Sequence, residues 1–543
     1  MGDWSDSLEQ LMRALYADPA WARFAVVLRV FFMLCLARVL WLLIRSGRRD
    51  GETGSLRFHA GYWVLLAVPF VAVLAYQASW QLAGFARPKF VRFMQLYDRR
   101  QFNPAHTASR GRILDARGRI LAYSVEINGK STRQYPHGAA FAHTIGYSDP
   151  FHGFAGVEGA ANTTLSGGRY ETREDLEQLG RDLLAGKARA RGADVRLTLD
   201  IDLQRAAYEA LAGRAGAVVA LEPATGAILV MTSSPSYDPN QLHAGLFSGD
   251  LSGRVLNRAA QGVYPPGSTF KAVIAAAAIR TGNTGPLDCP AEGYTTSSRY
   301  PRIRDHEYYE ARDSGGRWSG YGRLDLPTAF AKSSNVYFAQ LGVKVGLPGL
   351  RETAQGFGFG ELFTFFAGSN RTMGFSVNRI PDLSRGDLYG LAQISIGQGK
   401  LVVSPAQMAL VCAAVANHGE LMRPRLEVSQ PPMLWRPAMT RDQAGAVGVL
   451  MRRVVTSGTG RPLASLPFAC AGKTGTAENP RGAAHAWFIG YAPYDRPRVA
   501  VAVIVENGGY GSSAALPVAR AVFERAAATG LFGQQGGGPA GPR

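Results

Sequence analysis

Residues 264–279 read Tyr264-Pro-Pro-Gly-Ser268-Thr-Phe-Lys271-Ala-Val-Ile-Ala-Ala-Ala-Ala-Ile279. The spacing sets a hydroxyl three residues before an amine, and residues i and i+3 share one helix face. Lys271 can therefore lie beside the Ser268 oxygen and take its proton, provided that burial or a second cation lowers the lysine pKa. Pro265, Pro266 and Gly267 punctuate the chain ahead of Ser268. The alanine-rich run behind it predicts a buried helix with the serine in its first turn, where the helix dipole favours a developing oxyanion. Taken alone, Ser-x-x-Lys equally describes a capped, solvated helix start.

Two further segments change that balance. Ser333-Ser334-Asn335 lies inside Ala-Phe-Ala-Lys-Ser-Ser-Asn-Val-Tyr-Phe, and Lys473-Thr474-Gly475-Thr476 follows later. Each has a chemical use. Ser333 can relay a proton between Lys271, a scissile nitrogen and Lys473, while the Asn335 amide can orient a substrate carbonyl and the lysine amine. Lys473 offers a cation to a substrate carboxylate. Gly475 leaves room for an extended ligand along a strand edge, flanked by Thr474 and Thr476, and the N–H groups of Ser268 and Thr476 can form an oxyanion hole. Singly, the second segment is also a turn or helix cap and the third a strand end; their order is what carries information.

Serine-x-x-lysine, Ser-x-Asn and Lys-Thr-Gly in that order resemble the class B penicillin-binding proteins, peptidoglycan D,D-transpeptidases, with Ser334 where related enzymes carry Asp. The resemblance extends from about Arg110 to the end. Arg110-Gly-Arg-Ile-Leu-Asp115-Ala-Arg-Gly-Arg-Ile-Leu-Ala122 is similar to the family's pedestal motif, although Ala116 stands where arginine is usual. Gln134-Tyr-Pro-His-Gly138, Ala142 to Tyr147, Gly156-Val-Glu158, Thr198 to Gln204, Ala220 to Gly226, Pro235 to Asn240, Ile396 to Gly399 and Ser404 to Gln407 also match family segments. The resemblance implies an α+β transpeptidase domain of the penicillin-binding/serine β-lactamase-like kind, an antiparallel sheet flanked by helices, behind a small mostly β pedestal and an N-terminal membrane anchor. It implies that Ser268 is acylated by a D-Ala-D-Ala stem peptide, with loss of the last D-alanine, and that β-lactams acylate the same serine. No metal or organic cofactor is implied. A SEDS-type glycosyltransferase in the same membrane is the implied partner, and without a glycosyltransferase domain before the pedestal the chain is expected to cross-link strands and not to polymerise them.

The 543 residues exceed one ordinary domain and divide as anchor 1–82, pedestal or dimerisation-like domain 83–196, catalytic domain 197–532 and disordered Gly-rich tail 533–543. The formal charge of +18 is spread among apolar and Gly-rich segments with no groove-reading motif, which favours anionic lipid and wall polymer over nucleic acid. The four cysteines show no metal spacing or disulfide framework, and Cys289 falls in a loop. His106, His137, His143 and His152 have no metal-cluster spacing either. Gly356 to Gly360 and Gly397 to Lys400 lack the full phosphate-loop pattern.

Tyr62 to Leu82 is uncharged, apolar and bordered by Tyr62, Trp63 and Trp80, a membrane span of ~20 residues. Phe24 to Ile44 is long enough for a second span but contains Arg29 and Arg38. The intervening Arg45, Arg48, Arg49 and Arg57 place that loop in the cytoplasm and the rest of the chain outside the bacterial plasma membrane, against the counter-signal of Lys89, Arg92, Arg99 and Arg100. Within the catalytic domain, a helix near Leu203 to Leu211, strands Ala217 to Leu221 and Ile228 to Ser233, a hairpin of Ala486 to Ala492 with Val499 to Glu506, and a helix at Leu516 to Ala527 are expected. Arg302 to Arg312 reads as a solvated charged rim that could touch glycan or peptide. Two other functions remain open. A β-lactamase needs a water-activating base, for which no candidate stands out, and a membrane β-lactam sensor needs a cytoplasmic effector, of which none is visible.

Overall fold

The computed structural model describes residues 110–127, 130–166, 192–247, 253–368, 371–480 and 482–533. The chain divides into Met1–Gln101 and Phe102–Arg543, and all described residues belong to the second unit. The expected spans at 24–44 and 62–82, His106, and the expected tail apart from Gly533 lie outside them. Among the described residues no helix is long and apolar enough to cross a membrane.

The pedestal centres on a four-stranded sheet of β1 (Ile113–Leu114), β2 (Ile120–Ile127), β3 (Lys130–Gln134) and β4 (Val195–Arg196), ordered β3-β2-β1-β4. β1 runs antiparallel to β2 and parallel to β4. The motif read at Arg110 to Ala122 has a physical basis in this geometry. Asp115 Oδ1 accepts from the N–H groups of Arg117 and Arg119 at 2.9 and 2.8 Å, an Asx-type turn closed by Gly118 at φ +81°. Arg119 then bridges the buried Asp115 to Asp202 at 2.7 Å, fastening the pedestal to the first catalytic helix. Deeper in, the wholly buried Glu158 receives Arg110 Nε at 2.8 Å and Arg133 Nε at 2.6 Å. Burial alone would raise its pKa, but the two guanidiniums hold it below the ordinary carboxylate value.

The catalytic domain opens with α1 (Ile201–Leu211), whose N-cap Asp200 accepts from Asp202 N and Leu203 N. Strands β5 (Gly216–Leu221) and β6 (Ile228–Ser234) follow. A largely helical region then holds α2 (Lys271–Arg280), α3 (His306–Asp313), α4 (Leu326–Lys332), α5 (Asn335–Gly356), α6 (Leu388–Ser395), α7 (Pro405–Ala416) and α8 (Arg441–Ser457). The chain returns through β7 (Ala471–Asn479), β8 (Gly482–Ala492), β9 (Val499–Val505) and α9 (Ala515–Ala528). These five strands form one antiparallel sheet ordered β7-β8-β9-β5-β6.

Alternation along β9 shows how the sheet is covered. Val499, Val501, Val503 and Val505 join Leu203, Leu211, Leu516, Val522 and Phe523 beneath α1 and α9. Ala500, Ala502 and Ile504 face a larger core with Trp487 and residues of α2, α5 and α7. A period-two pattern with both faces apolar is a strand buried on both sides. β7 is an edge strand, so the edge that carries Lys473 to Thr476 is unpaired on its outer side.

Candidate active site

The nucleophile turn is tighter than the sequence suggests. Gly267–Phe270 forms a 3-10 turn, and the α-helix begins only at Lys271. The turn is held by backbone bonds from Tyr264 N to Val403 O at 2.9 Å and from Gly267 N to Gly397 O at 3.0 Å, and by Trp487 Nε1, which donates to Pro265 O at 2.9 Å. Gly267 has φ +53°, and a Cβ there would meet Thr476 O at 2.4 Å. Ser268 is half-buried and lines a cleft, while Lys271 through Ala278 are buried.

Ser333 ends α4 in the left-handed conformation, φ +62°, which is costly for a residue with a Cβ and is concentrated at functional positions. Ser334 then caps α5, its Oγ accepting from Tyr337 N at 3.1 Å. This break between two helices delivers the second motif to the first. Lys271 Nζ donates to Ser333 O at 2.6 Å and to Asn335 Oδ1 at 2.7 Å, with Ser333 Oγ at 3.4 Å. An ammonium can only donate, so it fixes which end of the Asn335 amide faces it. Asn335 Nδ2 donates one of its two N–H groups to Arg304 O at 3.1 Å, and the residue lines the cleft.

Lys473, expected to meet a substrate carboxylate, turns its amine to Ser333. Its side chain is fully buried, and Nζ donates to Ser333 Oγ at 2.8 Å and to Thr474 O at 3.0 Å. The cleft is lined instead by Thr474, Gly475 and Thr476 from the same strand. Gly475 also differs in its use: a Cβ would come within 2.9 Å of Thr269 Cγ2 and 3.1 Å of Pro266 O. Its bareness lets the strand close on the nucleophile turn, not only on a ligand.

Burial pushes the Lys271 amine down to about 7, partly opposed by Asp305 and Glu307. Burial and then the Lys271 charge push Lys473 well below its ordinary value. Phe338 and Phe330 lie 5.6 and 5.7 Å from the respective Nζ atoms, so each cation retains an aromatic face in a dry setting. The cleft has a volume of 620 Å³ and brings together Ser268, Ser333, Asn335 and Thr474 to Thr476 beneath a rim from Arg302, Tyr309, Tyr389 and Tyr510.

Sequence reasoning missed three supports. Asp305, inside the segment expected to be a solvated rim, is 2 % exposed and accepts from Asn335 N at 2.6 Å, Ser334 Oγ at 2.9 Å and Val336 N at 3.1 Å. Thr459 is hydrogen-bonded to the Thr474 hydroxyl. Glu506 accepts from Tyr264 Oη and Arg258 Nε, each at 2.7 Å. Cys289 proves to be on a short strand, Leu287–Pro290, and buried, with burial pushing its thiol up to about 11. Of the histidines, His143 Nε2 meets Arg254 O at 2.7 Å and His152 Nδ1 meets Asp149 at 2.8 Å. Among the described residues no three His, Cys, Asp or Glu side chains gather in a metal-binding group.

A half-buried serine on the turn before a helix, a buried lysine of lowered pKa three residues on and an open strand edge lining the same cleft define a serine acyltransferase of the penicillin-recognising type. Residues 216–524 match the penicillin binding protein transpeptidase domain and residues 110–195 the penicillin binding protein A dimerisation domain. The chain belongs to the penicillin-binding protein transpeptidase family, in its class B. It is 33% identical over 468 residues to peptidoglycan D,D-transpeptidase PbpA of Mycolicibacterium smegmatis, covering 78% of this chain and 89% of that protein. It is 31% identical to peptidoglycan D,D-transpeptidase MrdA of Escherichia coli over 71% of this chain and 70% of the other. The ceftriaxone acyl-enzyme of penicillin-binding protein A from M. tuberculosis superposes with a TM-score of 0.68 at 30% identity, covering 78% of this chain and 99% of that structure.

Proposed function

We propose, from a cleft-lining Ser268 three residues before a buried, readily deprotonated Lys271, that this chain is a peptidoglycan D,D-transpeptidase acylated at Ser268 and inhibited by penicillin. Neutral Lys271 takes the Ser268 proton as Oγ attacks the carbonyl of the penultimate D-alanine. The N–H groups of Ser268 and Thr476 receive the oxyanion. As the C–N bond breaks, Ser333 passes a proton to the departing D-alanine amine and is resupplied from the lysine side. An acceptor amine from a neighbouring strand then attacks the acyl-enzyme and gives up its proton to Lys271, which returns it to Ser268 Oγ as the ester bond breaks. Lys473 polarises Ser333 from below, and the hydroxyls of Thr474 and Thr476 on the exposed strand edge take the substrate carboxylate.

The chain is further proposed to sit in the bacterial plasma membrane through 62–82, with the catalytic domain outside and a SEDS-type glycosyltransferase as membrane partner. That reading rests on the apolar span and its arginine-rich flank. The testing experiment is intact-protein mass spectrometry after addition of a penicillin. A lasting adduct on the wild type and none on Ser268→Ala supports the assignment. Rapid hydrolysis without an adduct makes the chain a lactamase, and an adduct surviving Ser268→Ala removes Ser268 from the mechanism.

A further inference from the structure

The buried carboxylate of Asp305 has no counterpart in the mechanism above, yet it sits against the machinery. One oxygen accepts three donors from the start of α5: Ser334 Oγ, Asn335 N and Val336 N, at 2.9, 2.6 and 3.1 Å. Those donors are the orphan N–H groups of a 22-residue helix and its capping hydroxyl. Oδ2 is buried without a hydrogen-bond partner among the described residues, so the carboxylate is held on one side only. The residue before it completes the grip, since Arg304 O accepts from Asn335 Nδ2 at 3.1 Å. Asn335 is thereby fixed at its backbone by Asp305 and at its side chain by Arg304, leaving Oδ1 with a single direction, toward Lys271 Nζ at 2.7 Å.

We propose that Asp305 is a positioning residue for the reaction, which through the start of α5 and Asn335 fixes where the Lys271 amine stands and adds a negative charge to its surroundings. This rests on the assignment of Ser268 and Lys271 made above. The charged groups facing Lys271 are Asp305 and Glu307 from the 304–313 segment and Lys473 from β7. The two carboxylates favour its protonated form and Lys473 disfavours it. Glu307 is already engaged by the Tyr321 hydroxyl. Asp305 therefore acts in two separable ways, as hydrogen-bond acceptor and as charge.

Two substitutions separate them. Asp305→Asn retains an acceptor for the α5 donors and removes the charge; Asp305→Glu retains the charge and lengthens the arm. Acylation of the full chain in detergent by a fluorescent penicillin is followed from about pH 5 to 9, with thermal melting of each variant and Ser268→Ala as the unlabelled control. In Asp305→Asn the acid limb of the profile moves to lower pH by roughly half a unit to one unit. In Asp305→Glu the limb stays in place and the plateau falls at least about tenfold, the cost of a displaced catalytic group. An unmoved limb in Asp305→Asn overturns the charge role, and a wild-type plateau in Asp305→Glu overturns the positioning role. If the wild type takes no label at Ser268, the proposed function fails, and that failure is visible before any Asp305 variant is compared.

Discussion

Lys473 Nζ lies 2.8 Å from Ser333 Oγ, and the same hydroxyl lies 3.4 Å from Lys271 Nζ. One serine therefore stands between two buried amines that come from distant parts of the chain. Two ammonium ions in so dry a place disfavour each other, and the protons of such a pair leave in steps that belong to the pair. Lys271, with Asn335 Oδ1 and Ser333 O as acceptors, is poised to be neutral near physiological pH. Among the described residues Ser333 is the cleft hydroxyl that meets both amines.

The first expected outcome is a pH limb. Lys271 works as a base only when neutral, so acylation falls as pH drops through about 7. Single-turnover acylation by a chromogenic β-lactam, measured across that range, should lose about tenfold per pH unit below the limb. A flat profile through neutrality would exclude Lys271 as the base.

Lys473→Met removes the second amine while keeping the volume of the stem. Without that neighbouring cation Lys271 holds its proton more tightly, so the acid limb should move to higher pH, opposite to the shift expected for Asp305→Asn. The plateau should fall by about 10²- to 10³-fold, because Ser333 loses its donor partner. Substrate carboxylate binding, read as KM for a stem-peptide donor, should worsen less than in Thr476→Val, since Thr476 lines the cleft and Lys473 does not.

How much of this was legible depends on the range over which each signal acts. The helix behind Ser268 and the β8–β9 hairpin are local patterns, and the structure shows both, up to the 3-10 form of the Gly267–Phe270 turn. That turn is tight because Gly397 and Thr476, far along the chain, press on Gly267. The sheet order was not legible, since β5 pairs with β9 only after the whole helical region has folded between them. Lys473 reads both as a partner of Ser333, where its amine stands at 2.8 Å, and as a carboxylate anchor; nothing local reveals that its side chain is fully buried. Asp305 looked like one more rim charge because its three partners lie about thirty residues downstream.

In the pedestal, Glu158→Gln should leave Arg110 and Arg133 as buried charges with 3 % and 2 % of their side chains exposed. Such a loss costs about 3–5 kcal/mol. The Glu158 pKa is lowered in the folded state, so its contribution is present above the ordinary carboxylate value and is lost as pH falls through the lower folded value. Thermal melting should show a wide gap between wild type and variant at neutral pH that narrows in acid. The acylation rate per folded molecule should be unchanged, which separates this scaffold role from the site.

The last outcome concerns Gly475, where two readings of the same bareness diverge. If the glycine only makes room for ligand, Gly475→Ala weakens substrate binding and leaves the free protein as it was. The structure argues otherwise, because the added Cβ would stand 2.9 Å from Thr269 Cγ2, 3.1 Å from Pro266 O and 3.1 Å from Thr269 N. Two of those are backbone atoms of the nucleophile turn, and that turn is tied to Trp487 and Gly397 and cannot simply swing aside. Overpacking of this kind costs about 1–3 kcal/mol, and displacement of the nucleophile by an ångström costs about 10²-fold in rate. Gly475→Ala should therefore melt earlier without any ligand and acylate about 10²-fold more slowly even with a small β-lactam that makes no contact along the strand edge. Normal acylation by such a compound, with loss confined to extended peptide donors, would assign Gly475 to ligand clearance alone.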